Sequence, residues 1–330
     1  MLFAACGRRP VAPEGETAPA EAAPPPGASP AASKPVTTPP VKLPPLAAGP
    51  AELWKEFSGA RAFEEVRQQV AIGARPSGSP GVEKTRALIE ASLKKSDWEV
   101  ERQTFTDETP RGPIIFVNLI ARFVPPGLPT APRHTQRAIV CSHYDTKRFS
   151  TINFLGASDG ASSTGALLEL ARVLALAPSL AVQVELVFFD GEEAIVQYSE
   201  KDGLYGSRHY ASNLRGTGRA AQFKFGILWD MIGDKDFGIT LSPDSPQELT
   251  RDLLAAADAL KVREKFSFYD RNIYDDHVPL NTIAKIPTID LIDFDYLYWH
   301  TADDTLERLG PDGLQHTGAV TLYQLRRALK

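Results

Sequence analysis

The chain has 330 residues, 43% of them hydrophobic, and a formal net charge of -5 at pH 7, which is enough apolar material for one large core. Its Lys and Arg residues are interspersed with Asp and Glu rather than gathered into a basic stripe, which argues against a nucleic-acid partner. No apolar run approaches the roughly 20 residues of a bilayer-spanning helix, so the expected partners are small molecules or peptides, with membrane contact only through a lipid anchor.

In chain order, Leu2-Phe3-Ala4-Ala5-Cys6 has the small residues before a cysteine that end a bacterial lipoprotein signal, although no basic residue precedes them. Residues 1–6 are therefore expected to be a partial signal, with Cys6 the lipidation site of an extracytoplasmic, membrane-anchored protein. Residues 7–50 are rich in Pro and Ala, a composition that favours extended polyproline backbone and a disordered linker. From residue 51 to 330 the pattern is globular, and a single catalytic domain is expected. Helical spacing of apolar residues predicts helices over Ala51–Ile72, Val82–Leu93 and Ala161–Leu176, with Pro80-Gly81 as a start signal for the second. Strands are predicted over Val100–Phe105, Ile114–Phe123, Ala138–Cys141, Val184–Phe189, Phe225–Trp229 and Ile286–Ile292. This alternation predicts an α/β three-layer sandwich, a mostly parallel or mixed sheet flanked by helices. The far-separated Cys6 and Cys141 are not expected to bridge.

Ligand sites in such sheets lie beyond the carboxyl ends of the strands, and polar groups follow three apolar segments. These are His143-Tyr144-Asp145, Asp190-Gly191-Glu192-Glu193, and Asp230 after Trp229. Asp159 in Gly156-Ala157-Ser158-Asp159-Gly160 and His300 in Trp299-His300-Thr301 join the same rim. Carboxylates so close together repel unless a cation neutralises them. Carboxylate oxygen with imidazole nitrogen and no thiolate suits catalytic zinc. Within Glu192-Glu193, neighbouring side chains point in different directions, so one can hold metal while the other moves protons. Asp145, two positions after His143, is placed to orient that imidazole.

These segments resemble the co-catalytic zinc aminopeptidases, whose five ligands would fall on His143, Asp159, Glu193, Asp230 and His300, with Glu192 as general base. A closer resemblance, over nearly the whole domain, is to the animal-type glutaminyl-peptide cyclotransferases within that superfamily. It is carried by Arg75-Pro76-Ser77-Gly78-Ser79-Pro80-Gly81, by Asp190-Gly191-Glu192-Glu193-Ala194 through Asp202-Gly203-Leu204-Tyr205-Gly206-Ser207, by Asp275-Asp276-His277-Val278-Pro279 and by Trp299-His300-Thr301-Ala302-Asp303-Asp304. The resemblance implies one zinc on Asp159, Glu193 and His300, with His143 and Asp230 as further ligands if two ions bind. It implies Glu192 as proton shuttle, Asp230 and Asp275 completing its hydrogen-bond network, and Tyr198 and Trp299 lining the substrate pocket. The implied reaction is closure of an N-terminal glutamine to pyroglutamate with loss of ammonia, on peptides or proteins with a free amino terminus. Hydrolysis by an aminopeptidase is the alternative, and an inactive binding lipoprotein is a second.

Three positions depart from the resemblance: Tyr198 stands where the family commonly has Trp, Asp290 where animal cyclases carry His, and Thr164 where secreted ones carry the second cysteine of a disulfide. His134, His209 and His316 are expected to have no catalytic role, His277 to be scaffold, Trp229 to be core, and Asp303 and Asp304 to cap a helix at a solvated edge.

Overall fold

Two serines set the first helices of the computed structural model, which describes residues 45–128, 130 and 137–329. Ser58 accepts from the backbone N–H of Arg61 and starts α1, Gly59–Val70, so the long helix predicted from residue 51 is broken into a short 3-10 turn, Leu53–Glu56, and α1. Ser79 accepts from Val82 N–H and starts α2, Pro80–Lys94, with Pro80 at the first helical position. The other main helices are α3 (Ser163–Ala175), α4 (Tyr205–Gly216), α5 (Gln247–Ala259) and α6 (Pro311–Ala328). The last three were not marked by the apolar spacing used above. Residues 1–6, Cys6 and most of the 7–50 segment lie outside the described residues, as does His134. Residues 45–50 lack regular structure but lie on the domain, where Ala47 O accepts from Ser179 N–H and Ala48 O from Arg326.

Eight strands form one sheet: β1 (Trp98–Thr109), β2 (Gly112–Phe123), β3 (Arg137–His143), β4 (Val184–Phe189), β5 (Phe223–Asp230), β6 (Ile239–Leu241), β7 (Phe266–Phe268) and β8 (Thr288–Ile292). Their order is β1-β2-β4-β3-β5-β8-β6-β7. The central β4-β3-β5-β8 pairs are parallel, and β1 and β2 form an antiparallel hairpin on one flank. The central strands are buried on both faces, as parallel strands covered by helices must be. Alternate residues serve the two layers. Val140, Leu186, Ile227 and Trp229 join the larger core with α1, α3 and α6, while Ile139, Cys141, Val187 and Leu228 join the smaller one with Tyr210 and Leu214 of α4. Cys141 is a free buried thiol. The three-layer mixed α/β sandwich is the observed architecture.

Register brings the chemistry to one edge. His143 is level with Phe189, and Asp230 with Ile292, so the chain leaves four parallel strands on the same side. Away from that edge, Glu185 of β4 is fully buried and accepts from Tyr210 (2.6 Å), Arg122 (2.7 Å), Arg219 (3.0 Å) and Arg137 (3.1 Å). Burial alone would favour the neutral acid, but the charges of Arg122, Arg137 and Arg219 outweigh it and hold the carboxyl below the usual glutamate range. A depressed folded-state pKa stabilises the fold above the unfolded value, about 4.3, and that contribution is lost as pH falls through the lower folded value. Glu185→Ala should cost about 3–5 kcal/mol, because it strands guanidinium groups without their counter-charge. Chemical denaturation at neutral pH tests this, and as pH falls through the lowered folded-state value the gap between variant and parent should narrow.

Candidate metal centre

Each chemical group sits where a strand or helix ends in backbone that a regular element cannot adopt. The turn Ala157–Ser162 before α3 is broken at Asp159 (φ -78°, ψ 101°) and Gly160 (φ 88°), which turns Asp159 towards the rim. A Cβ on Gly160 would lie 2.6 Å from Asp145 O, so glycine is required there. After β4, Gly191 (φ 73°) presses against the Phe116 ring, where a Cβ would come within 2.5 Å, and delivers Glu192 and Glu193 side by side. Met231 (φ 46°) follows Asp230, and His300 itself has φ 55°. Non-glycine residues held in this region are uncommon and cluster at functional sites.

Two groups of donors share Asp159. His300 Nε2 lies 3.3 Å from Asp159 Oδ2 and 3.2 Å from Glu193 Oε1. His143 Nε2 lies 3.2 Å from Asp159 Oδ1 and 3.2 Å from Asp230 Oδ1. Within each group the candidate ligand atoms lie within 4.8 Å of one another. All five residues named from the sequence therefore meet. Only some of them face open space: Asp159, Glu193, His300 and Asp230 line a cavity of about 490 Å³ with Glu192, Asp275, Tyr198 and Trp299, whereas His143 lies behind it. Burial opposes the charged form of Asp159, but His143 and His300 outweigh it and hold the carboxyl below the usual range. Burial and then the Asp159 charge push Glu193 up to about 7. Against burial, Asp159 and Glu193 lift His300 to about 10. Burial and the adjacent Glu193 carboxylate push Glu192 well above the ordinary glutamate range. These carboxylates thus crowd one another in a dry setting, the condition that a bound cation relieves.

Three details differ from the sequence expectations. Asp145 Oδ1 lies 3.6 Å from His143 Nδ1, within ion-pair reach but too far for a hydrogen bond, and it accepts instead from Glu192 N–H at 3.2 Å. Among the described residues no hydrogen bond joins the Glu192 carboxylate to Asp230 or Asp275; Asp275 Oδ1 accepts from Asp276 N–H and its Oδ2 is unpartnered. Asp304 is not a solvated cap. It is fully buried and accepts from Ser158 N–H (2.7 Å), Asp159 N–H (3.1 Å) and the Tyr296 hydroxyl (2.9 Å), while Asp303 is exposed. Trp229 is core, as expected, and His277 is buried with Nδ1 3.4 Å from Asp290 Oδ2.

Sequence reading missed two holders of the Asp159 turn. Besides Asp304, Arg75 is fully buried, and its guanidinium donates to the carbonyls of Gly73, Tyr144, Leu155 and Gly156. A signal was present, because an arginine in an otherwise turn-like Arg-Pro-Ser-Gly run has no acidic neighbour in the sequence to pair with. The loop that carries Tyr198 has its own hub in Asp202, which accepts from the N–H groups of Ile195, Val196 and Gln197 and from the Tyr205 hydroxyl.

Asp159, Glu193 and His300 fit a divalent cation by donor chemistry: two carboxylates and an imidazole, no thiolate, and a buried Asp159 Oδ2 that makes no hydrogen bond. Because Asp304 fixes the backbone of Asp159, Asp304→Ala should weaken cation affinity about 10–100-fold, the range for partners that orient a ligand. Competition with a chelator reads this directly, and unchanged affinity would remove Asp304 from that role.

The chain is similar to proteins of known family. Residues 118–325 match the model of Peptidase family M28. A glutaminyl-peptide cyclotransferase-like protein of Bos taurus is 32% identical over 300 residues, covering 82% of this chain and 74% of its own length. The glutaminyl-peptide cyclotransferase of Drosophila melanogaster is 32% identical over 246 residues, 66% of this chain and 67% of its own. A solved glutaminyl cyclase from an Acidobacteriales bacterium superposes with a TM-score of 0.72 at 33% identity, covering 88% of this chain and 98% of that one. One from Porphyromonas gingivalis gives a TM-score of 0.73 at 27% identity, over 82% and 98%. The chain therefore belongs to Peptidase family M28 and, within it, to the glutaminyl-peptide cyclotransferases.

Proposed function

We propose that this enzyme closes the N-terminal glutamine of peptides or proteins to pyroglutamate with release of ammonia. One observation carries the reading to these residues: Asp159, Glu193 and His300 open onto the cavity with Glu192 beside them, while His143 does not line it. Asp159, Glu193 and His300 would hold one zinc ion, whose contribution when bound is to polarise the amide oxygen. Glu192 takes a proton from the attacking α-amine and returns one to the departing nitrogen, so that a C–N bond forms to the amine, the amide C–N bond breaks and ammonia leaves. Its backbone N–H is anchored on Asp145, which holds the main chain at Glu192 in place. The Asp230 and Asp275 side chains face the same space, where carboxylates stabilise the positive charge that develops on the α-nitrogen as the neutral amine attacks. The half-exposed rings of Tyr198 and Trp299 bound the substrate pocket, with Trp299 against the candidate ligand His300.

A second reading, aminopeptidase hydrolysis on two zinc ions, is favoured by the second donor group, His143, Asp159 and Asp230. Incubating the zinc-loaded enzyme with Gln-initiated and Leu-initiated peptides separates the two. Loss of one ammonia from the Gln peptide alone is the expected outcome; loss of whole terminal residues would establish hydrolysis instead. Glu192→Gln should lower turnover about 10²–10⁴-fold while bound zinc is retained.

We also infer an extracytoplasmic setting with a lipid anchor on Cys6, supported by the small residues Ala4 and Ala5 ahead of it. Cys6→Ser should move the protein from the membrane fraction to the soluble one on fractionation.

A further inference from the structure

We propose that Tyr198 and Tyr274 together form a subsite for the second residue of the substrate and select peptides in which that residue is aromatic. The inference rests on the cyclase reading of the same cavity and adds a specificity to it. At about 490 Å³, the cavity falls in the range of about 300–1,000 Å³ that encloses ligands of several linked groups, so a single glutaminyl end leaves part of it free. One wall is an aromatic run leading outward from a candidate ligand: Trp299 stacks on His300 at 4.3 Å, Phe294 lies 5.6 Å from Trp299, and Tyr269 lies 5.0 Å from Phe294. Facing the same space are Glu192, Asp275 and the two tyrosines.

The direction of the substrate follows from its chemistry. The amine and the side-chain amide of the first residue must both reach the group around Glu192, so the carbonyl of that residue, and the chain after it, must leave by the mouth. Tyr274 immediately precedes Asp275 in the sequence and lines the same cavity. Its ring meets that of Tyr198 edge to face, with centroids 5.7 Å apart and planes at 79°. Tyr274 is 56% and Tyr198 40% exposed, large apolar surfaces for monomeric side chains to leave open at a cavity mouth. Neither hydroxyl makes a hydrogen bond among the described residues. Edge-to-face and offset-stacked geometries both accept a third ring.

The platform exists before substrate arrives. Tyr198 lies against Gly203 (φ 113°), where a Cβ would come within 2.7 Å of the ring, and its loop is tied down by Asp202 through three backbone N–H groups. A ring held this way costs little further ordering on binding.

The test compares kcat and KM for two peptides that differ only in the second residue, Gln-Phe and Gln-Gly, in the parent, Tyr274→Ala and Tyr274→Phe. The parent should favour Gln-Phe about three- to tenfold in kcat/KM, mainly through KM. Tyr274→Ala should reduce Gln-Phe by about that factor more than Gln-Gly, and Tyr274→Phe should keep the preference, since the ring and not the hydroxyl carries it. Equal kcat/KM for the two peptides in the parent, or an equal loss for both in Tyr274→Ala, overturns the subsite while leaving the cyclase reading intact. Failure of the parent to release ammonia from either peptide overturns the cyclase reading, and the subsite with it.

Discussion

A carboxylate taken out of water among other carboxylates needs donors or cations close by, and the architecture at the strand ends is arranged around meeting that need for Asp159. Two imidazoles approach its side chain from opposite sides, one from the end of β3 and one from the loop after β8. Its backbone N–H is held by Asp304, and the turn preceding it is gripped by Arg75. The helix that follows, α3, belongs to the larger core. Displacing Asp159 would therefore disturb both donor groups at once, and it would also leave the Arg75 guanidinium with fewer nearby negative charges.

The same arrangement explains why the rim tolerates so many acids. Burial pushes Asp304 up to about 6, with the Asp159 charge adding to it, and Asp276 is raised to about 7 mainly by burial. Sharing protons among neighbours lowers the electrostatic cost of the cluster without removing any member from it.

Much of this was legible before any coordinates. The central strands announce themselves as short β-branched and aromatic runs, and acids or imidazoles placed just after such runs must share an edge when the strands are parallel. That logic brought His143, Glu193 and Asp230 together; Asp159, at a helix start, and His300, beside Trp299, were added to the rim separately, and the resemblance to zinc aminopeptidases made the five a ligand set. It did not reach Arg75 or Asp304, whose partners lie 81 and 146 residues away, because distance along the chain hides a buried bond. Paired aspartates after a histidine read locally as a cap on a wet edge, and only the folded chain reveals that the second of them faces inward. Strands β6 and β7 have three residues each, too few for period-two alternation to register. The kink at Asp159 was invisible for a related reason: the residues around it suit a helix start, and the deviation is imposed by contacts with Asp145 and Asp304.

The two ends of the sheet differ from its middle in a way that bears on association between molecules. Strand β1, at one edge, turns Glu99, Glu101, Arg102, Asp107 and Glu108 to solvent, and β7, at the other, offers only three residues of pairing length. Unpaired backbone at a sheet edge is a template for another chain, and charge and shortness are two ways of blunting it. Copies of the chain that meet at high concentration therefore find both edges closed in this manner, and such encounters do not propagate into an extended β structure.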